Sequence, residues 1–403
     1  MRSSFKRIGD FIQLIDERNR SLSITTLLGL SIDKVFIASV ANTIGSDMAN
    51  YKIIRKNQFA CSLMQVRRDK KIPVALLKDI DEAIISQAYP VFEISKKDKL
   101  LPEYLMMWMS RSEFDREACF YAVGGVRGSL EWDDFCNMSL PVPPIEKQHE
   151  IVREYHTIVD RIKLNEKLNL KLEETARAIY KQWFENFEFP ISKECAASIG
   201  RPDLEGKPYK SSGAPMAWND ALEKEIPESW KVKNYGDAFI FKTGKLNSNA
   251  AMKNGKYPFF TCSSETYKTN SYSFDCEALV LAGNNASAVY PFKYYKGKFE
   301  AYQRTYVITL NDLDISLFQG YFEVLKQLEG FKGSSSGTAT KFLTMRILAP
   351  IQMIAPSQNV SRGFAKICSP LFCKRQLTEE VIEKLQNFKD TLLMKMTKVA
   401  ATV

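Results

Sequence analysis

Residues that could support metal or acid–base chemistry are sparse in this chain of 403 residues. It has two histidines, His149 and His156, whose spacing places them on one face of a predicted helix, where we expect them to be solvated. None of the eight cysteines forms a Cys-x-x-Cys pair. Because histidine triads and zinc sites need these residues in clusters, we predict no catalytic residue and no metal site.

One segment superficially resembles the metal site of a nuclease. Pro202–Lys207 contains two carboxylates and a lysine. In metal-dependent nucleases such ligands must converge on a divalent cation, whereas Asp203 and Glu205 lie two residues apart in a Gly- and Pro-rich turn. The Gly-x-x-x-x-Gly-Lys-Ser/Thr phosphate loop and the Asn/Asp-Pro-Pro-Tyr/Phe string of amino-methyltransferases do not occur. A stand-alone metal-dependent DNA-processing enzyme is kept as an alternative.

Basic residues instead suggest nucleic-acid binding. The chain has 56 Lys and Arg against 47 Asp and Glu, a net charge of +9. Lys and Arg neutralise phosphates, while Arg, Asn, Gln, Ser and Thr can bond to base edges. The Gly-rich loops at 124–129 and 333–341 add closely spaced backbone N–H and hydroxyl donors. The alternative is a coiled-coil adaptor that binds no DNA, with these basic residues on a solvated face.

The candidate DNA-binding residues fall in both halves of the chain. They are Lys52, Arg55, Arg67, Arg68, Lys70, Lys71 and Arg127 in the first half, and Lys245, Asn284, Asn285, Lys296, Arg304, Ser334, Ser335, Thr338 and Lys341 in the second.

Two long helices must separate these basic segments. Apolar residues at steps of three and four predict one helix over about 146–187 and a second over about 351–403. Pro370 either kinks the second helix or begins it, with Ser369 as its cap. A helix of about 40 residues is about 60 Å long and is a spacer. The residues expected to pair the helices are Ile158, Ile162, Asn165, Leu172 and Ile179 in the first, and Ile382, Leu385 and Leu392 in the second.

The remaining segments predict an internal repeat. Residues 1–144 and 231–350 contain short apolar runs between turns, typical of α/β (α+β) domains, and 189–230 is a Gly- and Pro-rich linker. In the duplicated register, Ser139–Val142 matches Leu348–Ile351. The predicted order is domain, long helix, linker, domain, long helix. With no run of about 18 apolar residues and no apolar signal segment, we expect a cytoplasmic protein without a membrane span.

Three strings are similar to a known family. Pro141–Val152 (PVPPIEKQHEIV), leading into the first long helix, resembles the signature of type I restriction–modification specificity subunits. Leu172–Phe184 is similar to the end of their central helix, and Ile226-Pro227-x-x-Trp230 to the opening of a target-recognition domain. The second half departs from this pattern, because Pro356–Gln358 only weakly matches the proline–glutamine signature.

The resemblance implies two target-recognition domains, each reading one half of a bipartite site in double-stranded DNA. The long helices would pair antiparallel as a spacer between the domains. The implied partners are two methyltransferase subunits, which bind S-adenosylmethionine, and restriction subunits, which use ATP and Mg²⁺. This chain itself would hold no cofactor and break no bond.

Overall fold

The computed structural model describes residues 5–39, 47–124, 128–285, 290–311, 315–333 and 341–399, without the side chains of 285, 331–333, 341 and 398–399. The chain forms two compact units. Unit 1 comprises Met1–Lys163 and Glu383–Val403, and unit 2 comprises Leu164–Ile382. None of the helices in these ranges is long and apolar enough to cross a bilayer.

Unit 1 is built on two four-stranded sheets, in the orders β2-β9-β6-β7 and β4-β3-β8-β5, and on the pair β1-β10. Its strands are β1 (Phe5–Arg7), β2 (Ile12–Ile15), β3 (Leu27–Leu30), β4 (Phe36–Ala38), β5 (Lys52–Arg55), β6 (Phe59–Cys61), β7 (Val74–Leu76), β8 (Glu82–Ile85), β9 (Val91–Ile94) and β10 (Ser139–Pro141). Its helices are α1 (Val66–Asp69), α2 (Pro102–Met109), α3 (Ser112–Tyr121), α4 (Trp132–Asn137) and the first part of α5 (Ile145–Tyr180).

The core of unit 1 forms where helices cover the first sheet. Phe59 and Phe92 face each other on paired strands, with ring centroids 4.9 Å apart, and both are fully buried. Phe135 of α4 packs edge-on against Phe92 and against Phe114 of α3. Burial of such aromatic side chains supplies most of the stabilisation in a domain of this size, and it fixes α3 and α4 on the sheet.

Unit 2 is built on a six-stranded sheet, in the order β14-β20-β17-β19-β15-β16, with three two-stranded pairs: β11-β12, β13-β22 and β18-β21. Its strands are β11 (Met216–Asn219), β12 (Lys224–Pro227), β13 (Lys231–Asn234), β14 (Phe239–Thr243), β15 (Tyr257–Phe260), β16 (Thr266–Thr269), β17 (Phe274–Ala282), β18 (Asn284–Asn285), β19 (Phe292–Ala301), β20 (Thr305–Leu310), β21 (Lys341–Phe342) and β22 (Gln352–Ala355). Its helices are α6 (Lys193–Ser198), α7 (Tyr235–Ala238), α8 (Leu317–Gly333), α9 (Met345–Leu348) and α10 (Gln358–Val399), whose last part belongs to unit 1.

The central strand of unit 2 is covered on both faces. Successive side chains of a strand point to opposite faces. Leu279 and Leu281 belong to the cluster that contains helix α8, whereas Ala278 and Val280 pack in a second cluster with Phe299. This explains the uninterrupted apolar run in β17, one of the short apolar runs expected in residues 231–350.

The second long helix runs through its proline. Helix α10 begins at Gln358, twelve residues before Pro370, so the prediction that it could start at Pro370 is wrong. Phe364 and Cys368 before the proline, and Phe372 after it, are all buried in the unit 2 core. Their packing holds the helix together although proline removes one backbone hydrogen bond. The residues just before α10 form strand β22 and not helix.

The segment 189–230, expected to be a linker, is part of the unit 2 core. It contains helix α6 and the hairpin β11-β12. Phe189 stacks on Tyr209 and on Trp230, with ring centroids 4.6 and 4.8 Å apart. The Gly and Pro residues that suggested a linker form turns between packed aromatic residues, which a composition-based interpretation overlooks.

The internal repeat is confirmed, but its register differs from the predicted one. Strand β1 pairs with β10 so that Arg7 faces Ser139, and β13 pairs with β22 so that Asn234 faces Gln352. Ser139 therefore corresponds to Gln352 and not to Leu348, a shift of four residues.

Two glycines support this corrected register. A Cβ atom built on Gly9 would lie 2.8 Å from the Cβ of Cys136, and one built on Gly236 would lie 2.8 Å from the Cβ of Ala349. In each unit, a glycine just after the paired strand, β1 or β13, lets the chain pass closely over a residue at the end of a short helix, α4 or α9. Leu348–Ile351, which set the predicted register, begins at the end of α9, whereas its predicted counterpart Ser139–Val142 begins in strand β10.

Candidate DNA interface

Most of the basic cluster at 52–71 is neutralised by carboxylates from elsewhere in the chain. The Arg55 guanidinium lies between Glu17, at 2.7 Å, and Glu82. The hydrogen bond that the Arg55 guanidinium donates to Glu17 raises the pKa of Arg55. The sequence shows Asp69 as the one acid in this stretch, because the other carboxylates are distant along the chain.

Three further basic residues of this cluster also have acidic partners. The Nζ atom of Lys52 donates to the carbonyl of Tyr89 at 3.0 Å and lies 3.6 Å from Asp16. The guanidinium of Arg68 binds Asp69 at 2.6 Å, and Nζ of Lys71 lies 3.6 Å from Asp33. Phosphate contacts from these residues would compete with intramolecular partners.

Arg67 and Lys70 differ from their neighbours. Neither has a carboxylate within 4.0 Å in the described parts of the chain. The Arg67 side chain lies over Gly128, where an added Cβ would come within 2.9 Å of its Cδ, and its Nη1 donates to the Gly124 carbonyl at 3.0 Å. Arg67 therefore adjoins the first Gly-rich loop. Arg127 was predicted in that loop and lies outside the described residues.

In unit 2 one predicted residue, Arg304, lines a cavity of about 300 Å³. The Arg304 guanidinium lies 5.8 Å from the centre of the Phe342 ring, and both residues line the cavity. Lys245 is exposed. It lies near the cavity, because the carbonyl of the next residue, Leu246, accepts a hydrogen bond from the backbone amide of Gln303, which lines the cavity. The cavity is lined by Thr243, Gly283, Gln303, Arg304, Tyr306, Phe342, Leu343 and Thr344.

The short strand pair β18-β21 borders this cavity, since Phe342 of β21 lines it. Asn284 faces Phe342 and Asn285 faces Lys341 in the ladder. The Oδ1 atom of Asn284 is buried and has no hydrogen-bond partner in the described part of the chain. The side chains of Asn285 and Lys341 are outside the description, as are Ser334, Ser335 and Thr338 altogether.

Lys296 is separated from this group. Its backbone exchanges hydrogen bonds with the Gln376 side chain of α10, at 3.0 and 3.1 Å, and its Nζ lies 3.9 Å from Glu277. These contacts place Lys296 against the long helix and not beside the cavity.

The predicted pairing residues are partly to deeply buried along the long helices. Ile162 is buried, and the other seven, Ile158, Asn165, Leu172, Ile179, Ile382, Leu385 and Leu392, are half-buried. In unit 2, Phe364 of α10 packs on Tyr180 and Trp183, at the end of the first long helix. Glu173 binds Arg375 at 3.0 Å. Residue numbers rise on one helix as they fall on the other, so the helices are antiparallel within this unit.

One of the deepest helix contacts in unit 1 comes from Leu393, which was not among the predicted pairing residues. Leu393 and Met396 are buried in the same cluster as Ile151, while the predicted Leu392 is half-buried. A helix places residues i, i+3 and i+4 on one face, and choosing 392 in place of 393 shifts that face by about 100°.

The two histidines are in different surroundings. His149 is exposed as expected, but His156 is half-buried and its Nε2 atom has no partner in the described part of the chain. Burial lowers the pKa of His156. It lines a mostly apolar cavity of about 330 Å³ with Tyr155 and Met106. The expectation that both histidines are solvated is therefore wrong for His156.

The described residues contain no group of three or more His, Cys, Asp and Glu that could hold a metal ion. In the nuclease-like turn, Asp203 forms two hydrogen bonds of 2.9 Å with Arg201. These bonds lower the pKa of Asp203, and its carboxylate is engaged by an arginine on the same turn.

Sequence reasoning did not identify three residues at these sites. Gln303 and Phe342 line the unit 2 cavity. Phe120, at the end of α3 and close to the Gly124–Ser129 turn, is 79% exposed. An aromatic residue next to a Gly-rich loop was the available signal, but exposure cannot be read from sequence.

The fold and the two loop regions define a two-repeat α/β protein with long connecting helices. The family model for the type I restriction modification DNA specificity domain matches residues 5–174 and 227–387. The chain therefore belongs to that family and carries two copies of the domain, as the sequence motifs indicated. Neither the stand-alone enzyme nor the adaptor is supported by this match.

Individual relatives agree with the family. Over 173 residues the chain is 31% identical to the type I restriction enzyme EcoDI specificity subunit of Escherichia coli, a match that covers 42% of this chain and 38% of that protein. Over 330 residues it is 24% identical to the MjaIX specificity subunit of Methanocaldococcus jannaschii, covering 75% and 70%. The chain thus matches less than half of the EcoDI subunit.

A solved structure shares the fold. The S subunit of a type I restriction–modification system from M. genitalium superposes with a TM-score of 0.58 at 15% identity, covering 97% of this chain and 95% of that one. At this identity the likeness shows the fold alone.

Proposed function

We propose that this chain is the DNA sequence-specificity subunit of a type I restriction–modification complex. Each unit reads one half of a bipartite site in double-stranded DNA. The observation that carries the proposal is the duplicated specificity domain, with an arginine at Gly124 in one copy and at Phe342 in the other. Arg67 adjoins the first loop and Arg304 lies beside the strand that follows the second.

The chemistry belongs to partner chains in this proposal. Two methyltransferase subunits bind S-adenosylmethionine, and restriction subunits use ATP and Mg²⁺ to translocate and cut DNA. This chain contributes base recognition and a scaffold, and it holds no cofactor. The complex acts in the cytoplasm, where the DNA is.

The long helices are the scaffold in this proposal. Paired antiparallel, they set the spacer between the two half-sites, while each unit sets the identity of the bases it contacts. The mixed charge of α5 suits contact with protein, whereas phosphate contacts fall to Arg67, Lys70, Lys245 and Arg304.

Methylome sequencing tests the proposal directly. The chain is expressed with its methyltransferase subunits in a host that lacks other adenine and cytosine methylation. We expect a split motif, two short specific sequences separated by a fixed number of unspecified bases. A continuous motif, or no methylation with a folded and assembled complex, would contradict it.

A second experiment tests the expectation that this chain does not cleave DNA. The isolated chain is incubated with Mg²⁺ and supercoiled plasmid, and we expect no nicking or linearisation. Cleavage that is abolished by Asp203→Asn and Glu205→Gln would establish the stand-alone enzyme in place of the specificity subunit.

A further inference from the structure

Unit 1 exposes three apolar side chains at and just after the end of helix α3, which we call the aromatic patch: Phe120, Tyr121 and Val123. Their exposed fractions are 79%, 41% and 59%. The Phe120 and Tyr121 rings contact each other edge to face, with centroids 5.4 Å apart. Single exposed apolar residues are ordinary, but a contiguous exposed patch with aromatic residues marks an interaction site.

A rigid base supports the aromatic patch. Phe114 and Ala118, on the opposite face of α3, are buried in the unit 1 core. After the helix the chain turns at Gly124, with a φ of +101°, and returns to pair Val123 with Ser129. The backbone that carries Phe120 is therefore anchored to the unit 1 core, so presenting the ring to a partner needs no refolding of α3.

Two cationic side chains lie near the aromatic patch. The Sγ atom of Cys119 lies 3.4 Å from the carbonyl oxygen of Val66, which places Arg67 and Lys70 next to the end of α3. In the described parts of the chain, neither has a carboxylate within 4.0 Å. An exposed aromatic ring with cations nearby can contact the face of an unstacked base while the cations neutralise the adjacent phosphates.

Unit 2 places an exposed aromatic residue next to its own Gly-rich loop. Phe342 is 49% exposed and lies beside the Arg304 guanidinium. The residue that follows, Leu343, donates its amide to the Gly283 carbonyl at 3.0 Å, just as Leu130 donates to Leu63 at 2.9 Å in unit 1. Both leucines are buried. The two repeats thus share the backbone arrangement after the loop, and each adds an aromatic ring and an arginine.

We propose that Phe120 in unit 1 and Phe342 in unit 2 are wedge residues that insert their rings at a base step of the bound half-site and unstack it. This inference rests on the proposed function, since it names how each unit contacts DNA. The adjacent arginines neutralise the phosphates at the opened step. Apolar wedges of this kind kink duplex DNA, and the sequence dependence of unstacking adds selectivity at bases that no polar group contacts.

The experiment uses the full chain with its methyltransferase subunits and a duplex carrying the methylated motif found by sequencing. 2-Aminopurine, whose fluorescence rises when it is unstacked, replaces one base at a time across both half-sites. With the wild-type chain we expect a several-fold rise at one step in each half-site. Phe120→Ala should abolish the rise in one half-site, and Phe342→Ala should abolish it in the other.

Matched variants distinguish the wedge from a loss of folding or of binding. Trp218→Ala removes an aromatic residue that is 63% exposed on β11 and is not one of the proposed wedge residues, so it should leave both signals unchanged. Phe120→Leu keeps an apolar wedge and should retain most of its signal. The affinity of Phe120→Ala should fall by about tenfold, the loss expected from one stacking contact. Thermal unfolding midpoints should match that of the wild type.

The possible outcomes separate this inference from the proposed function. If the wild-type complex does not bind the duplex specifically, the proposed function fails. If it binds specifically without a fluorescence rise at any position, only the wedge is excluded. If Phe120→Ala leaves the rise intact but prevents assembly with the methyltransferase subunits on size-exclusion chromatography, the aromatic patch binds protein and the inference is overturned.

Discussion

At the scale of single residues, charge in the sequence and charge available to a partner are different quantities. Arg55 and Arg67 lie in the same basic stretch. Arg55 is held between Glu17 and Glu82, whereas Arg67 donates to the Gly124 carbonyl. An arginine already paired with two carboxylates would have to exchange them for a phosphate, which offsets part of the gain in binding.

This difference predicts unequal effects on DNA binding. Arg67→Ala should weaken binding and reduce the slope of log affinity against log salt by about one, because one phosphate contact is lost. Arg55→Ala should leave the slope unchanged. Fluorescence anisotropy with a labelled duplex at several salt concentrations measures both. Equal changes in slope would show that the intramolecular pairs do not restrain Arg55.

The close packing at Gly244 leads to a second prediction about a single residue. A Cβ atom at this position would lie 1.7 Å from the carbonyl oxygen of Ala301, a backbone atom that cannot move aside. Gly244→Ala should therefore lower the free energy of unfolding of unit 2 by about 3 kcal/mol, the range for overpacking.

Gly330→Ala is the matched control for Gly244→Ala. Gly330 lies within α8, and a Cβ added there meets open space. This substitution should stabilise the chain by up to about 1 kcal/mol, since alanine favours the helix. Urea unfolding of both variants gives the comparison, and a Gly244→Ala chain as stable as the wild type would contradict the close contact.

At the scale of elements, aromatic packing fixes the long helices to the unit 2 core. Phe364 of α10 contacts Tyr180, Trp183 and Phe184 of the first helical segment. Glu173 and Arg375 add an ion pair farther along. The aromatic contacts provide most of the stabilisation, because a partly buried ion pair gains little after desolvation.

Two phenylalanines on α10 test this assignment. Phe364→Ala should lower the free energy of unfolding of unit 2 by about 3–5 kcal/mol, since it leaves a cavity among aromatic rings. Phe388, which is 64% exposed on the same helix, is the control, and Phe388→Ala should change stability by no more than about 0.5 kcal/mol. Urea unfolding followed by circular dichroism measures both, and similar effects of the two would refute the assignment.

At the scale of the whole molecule, the proposed function assigns one half of a bipartite DNA site to each of the two repeats. Both long helices run from one unit into the other, since α5 crosses the boundary at Leu164 and α10 crosses it at Glu383. If they act as the spacer, their length determines how far apart the half-sites lie.

Lengthening both helices tests this role. Seven residues inserted at matched points, after Asn165 and before Ile382, add two turns and about 10 Å while keeping each apolar face in register. We expect a methylated motif with unchanged half-sites and about three more base pairs between them, at about 3.4 Å per pair. A motif with its original spacing, from a complex that assembles normally, would exclude the spacer role.

Local patterns in the sequence were sufficient to predict much of the fold of this protein. The apolar run of β17, the long helices and the duplication all follow from spacing along the chain, because period and apolar content are properties of neighbouring residues. The string before α5 and the Ile-Pro-x-x-Trp opening indicated the family, which the matches over 5–174 and 227–387 confirmed.

Tertiary structure decided what depends on residues far apart in the chain. It paired Arg55 with Glu17 and Glu82, buried the aromatic residues of 189–230, continued α10 through Pro370, and moved the repeat register by four residues. It also left Phe120 exposed beside Arg67. Side-chain burial and ion pairing are set by which distant segments meet, and the spacing of residues along one chain carries little information about that.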